Sequence, residues 1–220
     1  MLVRFLASSV GRKILMALTG LLLIGFLVVH LSGNLLIFES PEAFNAYSHS
    51  LVSNPLIYVA ELALLVLFVA HVASGIAVTL RNRAARPEGY RARRWAGRTS
   101  HKSLASATMI LSGLVILIFV PLHLWTFKFG PVYPSPNDPH VRDLHRLVVE
   151  EFQEPVEVIW YSVAMIVIGF HLWHAFGSAF ESLGVAYRRP LRWVGQALAV
   201  VLAGGFLSIP VVLYFSGGAP

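Results

Sequence analysis

Five histidines of this chain lie in surroundings where histidine is expensive: His30, His71, His123, His171 and His174 all sit inside long apolar stretches. An ionisable side chain at that depth usually faces a protein interior and marks a functional path. One such residue is accounted for by a structural hydrogen bond, but four separate stretches each carrying one are not. Imidazole nitrogens offer three kinds of chemistry here. A bare zinc or copper ion needs three or four ligands gathered at one depth. A proton relay needs acidic neighbours, and Glu61 lies in the second stretch, about 15 Å from His71 at the helical rise. Haem needs only two imidazoles, one on each face of a flat macrocycle.

Depth arithmetic at about 1.5 Å per residue sorts the histidines into layers. His30 stands about 25 Å from Lys13 and His123 about 31 Å from Lys102, which groups them at one level. His71 is about 15 Å from Arg81, while His174 and His171 are about 15 and 20 Å from Gly184, a second level that slightly prefers His174 and does not settle it against His171. Two layers, each with histidines from two different segments, disfavour a single metal cluster and suit two bis-histidine haems in the core of a helical bundle. Gly20, Gly25, Ser32, Gly33, Ser74, Gly75 and Gly113 near these positions leave room for a bulky planar group, although small residues also serve close helix packing in any membrane bundle.

The elements that must hold these residues follow from composition. The chain has 220 residues, of which 56% are hydrophobic and 13% charged, and its mean hydropathy of +0.69 is that of a membrane protein. Apolar stretches run over about 14–38, 56–80, 104–127, 156–180 and 194–214, each near the roughly 20 residues needed to cross a bilayer. The expected fold is all-α: one membrane domain over 1–220, a bundle of five transmembrane helices. The absence of cysteine excludes disulfides, thiolate-bound zinc and iron–sulfur clusters within the chain. A cleaved signal peptide would be shorter than the first stretch.

Basic residues concentrate at Arg12 and Lys13, through Arg81, Arg83, Arg86, Arg91, Arg93, Arg94, Arg98 and Lys102, and at Arg188, Arg189 and Arg192. Acidic residues gather in 130–155 (Asp138, Asp143, Glu150, Glu151, Glu154), on the same side as 39–55. The positive-inside rule then puts the N-terminus in the cytoplasm and the C-terminus outside, with His30 and His123 in the outer half. His49, His140 and His145 fall in outer loops, where solvated histidines are expected. Trp95, Trp125, Tyr133, Trp160 and Trp193 lie near span ends, as an interfacial belt requires.

The residues resemble a known family, the cytochrome b membrane-anchor subunit of succinate dehydrogenase or fumarate reductase, of the two-haem, single-subunit, five-helix type. The resemblance rests on Ser8-Ser9-Val10-Gly11-Arg12-Lys13 running through Met16-Ala17-Leu18-Thr19-Gly20, and on His30-Leu31-Ser32-Gly33-Asn34. It continues in Asn54-Pro55 with Tyr58 and Glu61, in Asp143-Leu144 through Phe152 and Pro155, and in Phe170-His171-Leu172-Trp173-His174 with Ser178-Ala179-Phe180 and Leu183-Gly184. It implies that His71 and His171 ligate the haem nearer the cytoplasm and His30 and His123 the distal haem, with His174 left to contact a propionate or quinone. It further implies a flavoprotein and an iron–sulfur subunit on the cytoplasmic side and electron relay to or from menaquinone or ubiquinone. The setting would be a bacterial cytoplasmic membrane, in the respiratory chain. Glu61 is the candidate proton site for the quinone, and Arg12, Arg98, His101 and Lys102 are candidates for the propionates. Ile168, Gly169 and Phe170 stand where some relatives carry a proton-conducting glutamate. Two other readings use the same residues: the cytochrome b subunit of a formate dehydrogenase or hydrogenase, and a proton-coupled transporter.

Overall fold

The structure is a computed structural model that describes residues 8–85, 108–185 and 189–218. Among them the chain is helical: α1 (Ser9–Asn34), a 3-10 turn (Leu35–Phe38), α2 (Pro41–Val52), α3 (Leu56–Ala84), α4 (Met109–Phe127), α5 (Leu144–Glu151), α6 (Pro155–Ser182) and α7 (Arg189–Phe215). Five helices are long and apolar enough to cross a membrane: α1 with its 3-10 extension, α3, α4, α6 and α7. Most of the arginine-rich connection, from Arg86 through Lys102, lies outside the described residues, as do Arg188 and the start of the third expected span.

Local chemistry sets the helix starts. The Ser8 hydroxyl accepts from Gly11 N–H at 3.0 Å to open α1, and Ser40 accepts from Ala43 N–H at 3.1 Å, with Pro41 in the first turn, to open α2. Asp143 accepts from Arg146 N–H at 3.1 Å and opens α5. The inward residues of α6, namely Val158, Tyr161, Met165, Ile168 and Leu172, follow alternating three- and four-residue spacing, the pattern of a helix packed along its length. α7 lies against this helix so closely that a Cβ on Gly169 would come within 2.9 Å of Ala203 Cβ. Polar Thr19, Ser74 and Ser112 are buried, whereas Leu62, Val66, Val69, Ile118 and Val200 are exposed. So large an apolar surface suits lipid as the surrounding solvent, and the few buried polar residues lie between helices.

Four helices form a ring in which α1 packs against α3 and α6, α6 against α4, and α4 more loosely against α3. α7 covers α6 and α1 from the side. The diagonals of the ring are therefore α1 to α4 and α3 to α6.

Two short helices close one end. α2 and α5 fall in connections expected to be loops, and they pack on each other over the ends of α1 and α4. Asn45 joins them: its side-chain N–H donates to Asp143 Oδ1 at 2.8 Å and its Oδ1 accepts from His145 N–H at 2.9 Å. His145 corrects the expectation of a solvated loop residue, because it is only 8% exposed. Asp143 caps α5, so the helix turns His145 inward on the same face as Val148 and Phe152, all of them buried. His140 is exposed and His49 half-buried.

Candidate cofactor site

Each diagonal of the ring carries one pair of histidines. On the α1–α4 diagonal, near the capped end, the rings of His30 and His123 stand 5.9 Å apart, centroid to centroid, with planes 87° apart. On the α3–α6 diagonal, towards the far end, His71 and His171 stand 6.5 Å apart at 72°. Two imidazoles bound from opposite sides to one metal, each at about 2 Å, place their centroids about 6 Å apart. Both pairs match that separation, and rings sharing an axis through a metal can adopt any relative rotation. The ring that meets His71 is that of His171; His174, three residues further along α6, is half-buried.

Hydrogen bonds hold the far pair. His71 Nδ1 lies 3.1 Å from the Met16 carbonyl and 3.3 Å from Thr19 Oγ1. A carbonyl only accepts, so His71 carries its proton on Nδ1 and keeps the lone pair of Nε2. Thr19 gives its own proton to Leu15 O at 2.7 Å, which leaves its oxygen free to accept. His171 is fixed in the same way: its Nδ1 is 2.9 Å from Ser112 Oγ, whose proton goes to Met109 O at 3.0 Å. Glycines sit beside both rings, since a Cβ on Gly20 would come within 3.0 Å of His71 Cε1 and one on Gly113 within 3.8 Å of His171 Cε1.

Aromatic rings hold the capped pair. Phe26 stacks on His30 at 5.2 Å and Phe206 lies 5.6 Å away. Phe119 stacks on His123 at 5.6 Å, and Phe127 and Tyr161 lie at 5.4 and 6.1 Å. The polar contacts here are longer: Asn34 Nδ2 is 3.3 Å from His30 Nδ1, and Tyr161 Oη is 3.4 Å from His123 Nδ1. Pro121, two residues before His123, removes one backbone hydrogen bond from α4 and lets the helix bend beside the site.

All four histidines thus turn Nδ1 to the protein, and none hydrogen-bonds through Nε2 among the described residues. For His71 the accepting Met16 carbonyl leaves Nε2 free to ligate, and at His171 the Ser112 oxygen can accept in the same way. The neighbour of His30 Nδ1, by contrast, is an amide N–H donor that does not select that tautomer. The residues present fit a group that takes two axial nitrogens and fills the core between opposite helices, as haem does. Among the described residues, no three of His, Asp and Glu gather so as to hold a metal ion by themselves. A groove of about 160 Å³ between α6 and α7, lined by Phe170, Trp173 and Ala203 among others, lies on the face of α6 turned away from His171 and is apolar. An acyl chain suits it better than a reacting centre.

Glu61, in the second turn of α3, forms an ion pair with Lys128 just past α4, with both side chains part-exposed. The pair bridges the loosest seam of the ring at its capped end. In the connection before α5, Arg146 lies over the Tyr133 ring at 4.2 Å and donates to Glu150 at 2.7 Å, holding that carboxyl below its usual range. Burial lowers the His145 pKa from its ordinary value, with Asp143 and Glu42 pulling the other way. Arg12 is half-buried at the start of α1, while Arg98, His101 and Lys102 lie outside the described residues. Neither Thr19 nor Ser112 stands out in the amino-acid sequence as a partner of the histidines. Their signal was present only as hydroxyls on the same depth levels.

Fold and site together define a class: a helical membrane bundle carrying two facing histidine pairs on crossed diagonals. Comparison with known protein families, curated proteins and solved structures finds no match to this chain.

Proposed function

We propose that this chain is the membrane-anchoring cytochrome b subunit of a succinate:quinone oxidoreductase. It would bind two b haems and relay electrons between an iron–sulfur subunit and a membrane quinone. The observation that carries the reading is the pair of facing histidine couples, at 5.9 and 6.5 Å, on the two diagonals of one bundle. The choice of complex rests on the resemblance of the N-terminal segment and of the segments around His30 and His171.

His71 and His171 would hold one haem and His30 and His123 the other. Haem bound there supplies reversible one-electron transfer. Each protein group has a separate task. Met16 O, Thr19 and Ser112 fix the Nδ1 proton of the far pair and raise the basicity of Nε2. Phe26, Phe119, Phe127, Phe206 and Tyr161 keep water from the capped pair. Glu61 and Lys128 place a carboxylate and an ammonium at the seam between α3 and α4, where a quinone headgroup would exchange protons. The arrangement of basic residues supports an N-terminus in the cytoplasm of a bacterium, with the flavoprotein and iron–sulfur partners on the side of the far pair.

The test is a reduced-minus-oxidised spectrum of the chain purified in mild detergent together with its partners. Two haems of b type per chain and copurifying flavin and iron–sulfur subunits with succinate or fumarate turnover are expected. A protein without b-type absorbance overturns the reading. A haem protein that copurifies with formate dehydrogenase or hydrogenase subunits moves it to another respiratory complex.

A further inference from the structure

The cap contains two buried nitrogens with nothing to bond. His145 is anchored through its backbone N–H to Asn45, and its ring meets Phe44 edge-on at 6.3 Å, yet its Nε2 is buried without a partner. Arg142 donates through its terminal nitrogens to Phe127 O at 3.0 Å and Pro131 O at 2.7 Å, and its Nε is likewise buried and unpartnered. Buried polar nitrogens are nearly always satisfied in native proteins. Arg142 Nε is a donor and His145 Nε2 is one in the tautomer protonated there, so the two in one short segment point to an acceptor that binds there.

Both belong to the lid over the capped histidine pair. Arg142 grips the carbonyl of Phe127, one helical turn beyond His123, and the Phe127 ring touches that histidine at 5.4 Å. His145 shares its face of α5 with Val148 and Phe152, and the Phe152 ring meets Phe127 at 5.9 Å and Tyr161 at 5.1 Å. The carboxylates nearby are engaged elsewhere: Asp143 Oδ1 accepts from Asn45 and from the Arg146 backbone, and Glu42 accepts from Asn137. Neither carboxylate reaches Arg142 Nε or His145 Nε2. A guanidinium N–H and an imidazole N–H each select an oxygen anion, above all a carboxylate.

We infer that Arg142 Nε and His145 Nε2 receive a carboxylate of the cofactor held by His30 and His123, which for haem is a propionate. The inference rests on the function proposed above and adds to it a polar anchor on the periphery of that cofactor. The anchor ties the cap to cofactor loading, because α5 reaches its fully bonded state only with the carboxylate in place.

His145→Phe keeps the ring against Phe44 and removes the donor, and Arg142→Gln removes the charge. In each variant the midpoint potential of the haem on the His30/His123 pair should fall and its propionate band in the resonance Raman spectrum should shift. The other haem should be unchanged, and His145→Gln, which restores an N–H donor, should bring the band back. Unchanged potentials and bands in both variants would mean that water satisfies the two nitrogens, and a shift confined to the other haem would place the anchor wrongly. Where the variants do not assemble, the His71→Ala protein, expected to retain only the haem in question, can be labelled with carbon-13 at the haem carboxyl groups. An ionised carboxylate band that moves in D2O is expected in its infrared redox-difference spectrum, and a band indifferent to D2O overturns the assignment. A wild-type protein lacking haem would overturn the parent reading, which is distinct from a two-haem protein whose signals do not move.

Discussion

The two histidine pairs of this bundle have similar separations, 5.9 and 6.5 Å, but different supports. The far pair, His71 and His171, is oriented by polar contacts of 2.9 to 3.3 Å from Ser112, Met16 O and Thr19. The capped pair, His30 and His123, is oriented by five aromatic rings, and its polar contacts reach only 3.3 and 3.4 Å. A main-chain carbonyl sets the proton of an imidazole and increases its electron donation, whereas a ring stack fixes direction and excludes water without choosing a tautomer. One site is therefore tuned mainly through bonds and the other mainly through its dielectric surroundings.

The comparison breaks most decisively at the ligands. Replacing His30 or His123 by alanine should remove one haem and leave the other, and His71→Ala or His171→Ala should do the converse. Each is read as the loss of half the b-type absorbance per chain. His174→Ala should keep both haems; its losing one while His171→Ala kept two would reassign the pair. Next in size is Gly20→Leu, whose side chain would occupy the space of the His71 ring and should disturb the far haem while sparing the capped one, visible as broadening of one α-band. Asn45→Ala leaves Asp143 without its buried donor and the His145 N–H without its acceptor. It should destabilise the cap by about 2 kcal/mol, measured as faster hydrogen exchange in α2 and α5 but not in α6. Ser112→Ala deletes an acceptor behind His171 and should raise the potential of the far haem alone, on the order of tens of millivolts.

The smallest effect concerns pH at the cap of the haem-free protein. Burial lowers the folded pKa of His145 from 6.5, with Asp143 and Glu42 opposing. The unfolded state therefore binds more protons just below that value, and stability rises with pH through the window. The contribution is fully present above about pH 6.5 and declines as pH falls towards the folded pKa. Exchange protection of α5 measured from pH 7.5 down to 5.5 should weaken, and His145→Phe should flatten the trend.

The membrane spans were legible because apolar length is a strong signal, and so were the helices that carry the histidines. Depth counting also ranked His30 with His123, since both lie four residues from the end of a helix that stops at the same side of the bundle. It could not separate His171 from His174, which differ by less than one turn. Only the rotation of α6, fixed by Tyr161, Met165, Ile168 and Leu172 packing inward, turns His171 towards His71. The cap was missed for a different reason. Ser40-Pro41 and Asp143 are ordinary helix starts, but α2 and α5 are 12 and 8 residues long, and such helices gain their stability from contact with one another. The burial of His145 depends on that contact and has no counterpart in the local sequence. Glu61 stood out as an acid inside an apolar stretch, yet its partner Lys128 lies 67 positions away and becomes visible only when α3 and α4 are side by side.

The crossed diagonals also bear on how such a protein is made. Neighbouring helices in the ring pack on one another, whereas α1 to α4 and α3 to α6 have fewer contacts and bring their imidazole rings together. Insertion of the helices can proceed pair by pair, while closure of the ring waits for something that grips both ends of each diagonal. Under the function proposed above, haem loading would be a late step of biogenesis, and a cell starved of haem should accumulate inserted chains that are protease-sensitive between helices although every span is already in the bilayer.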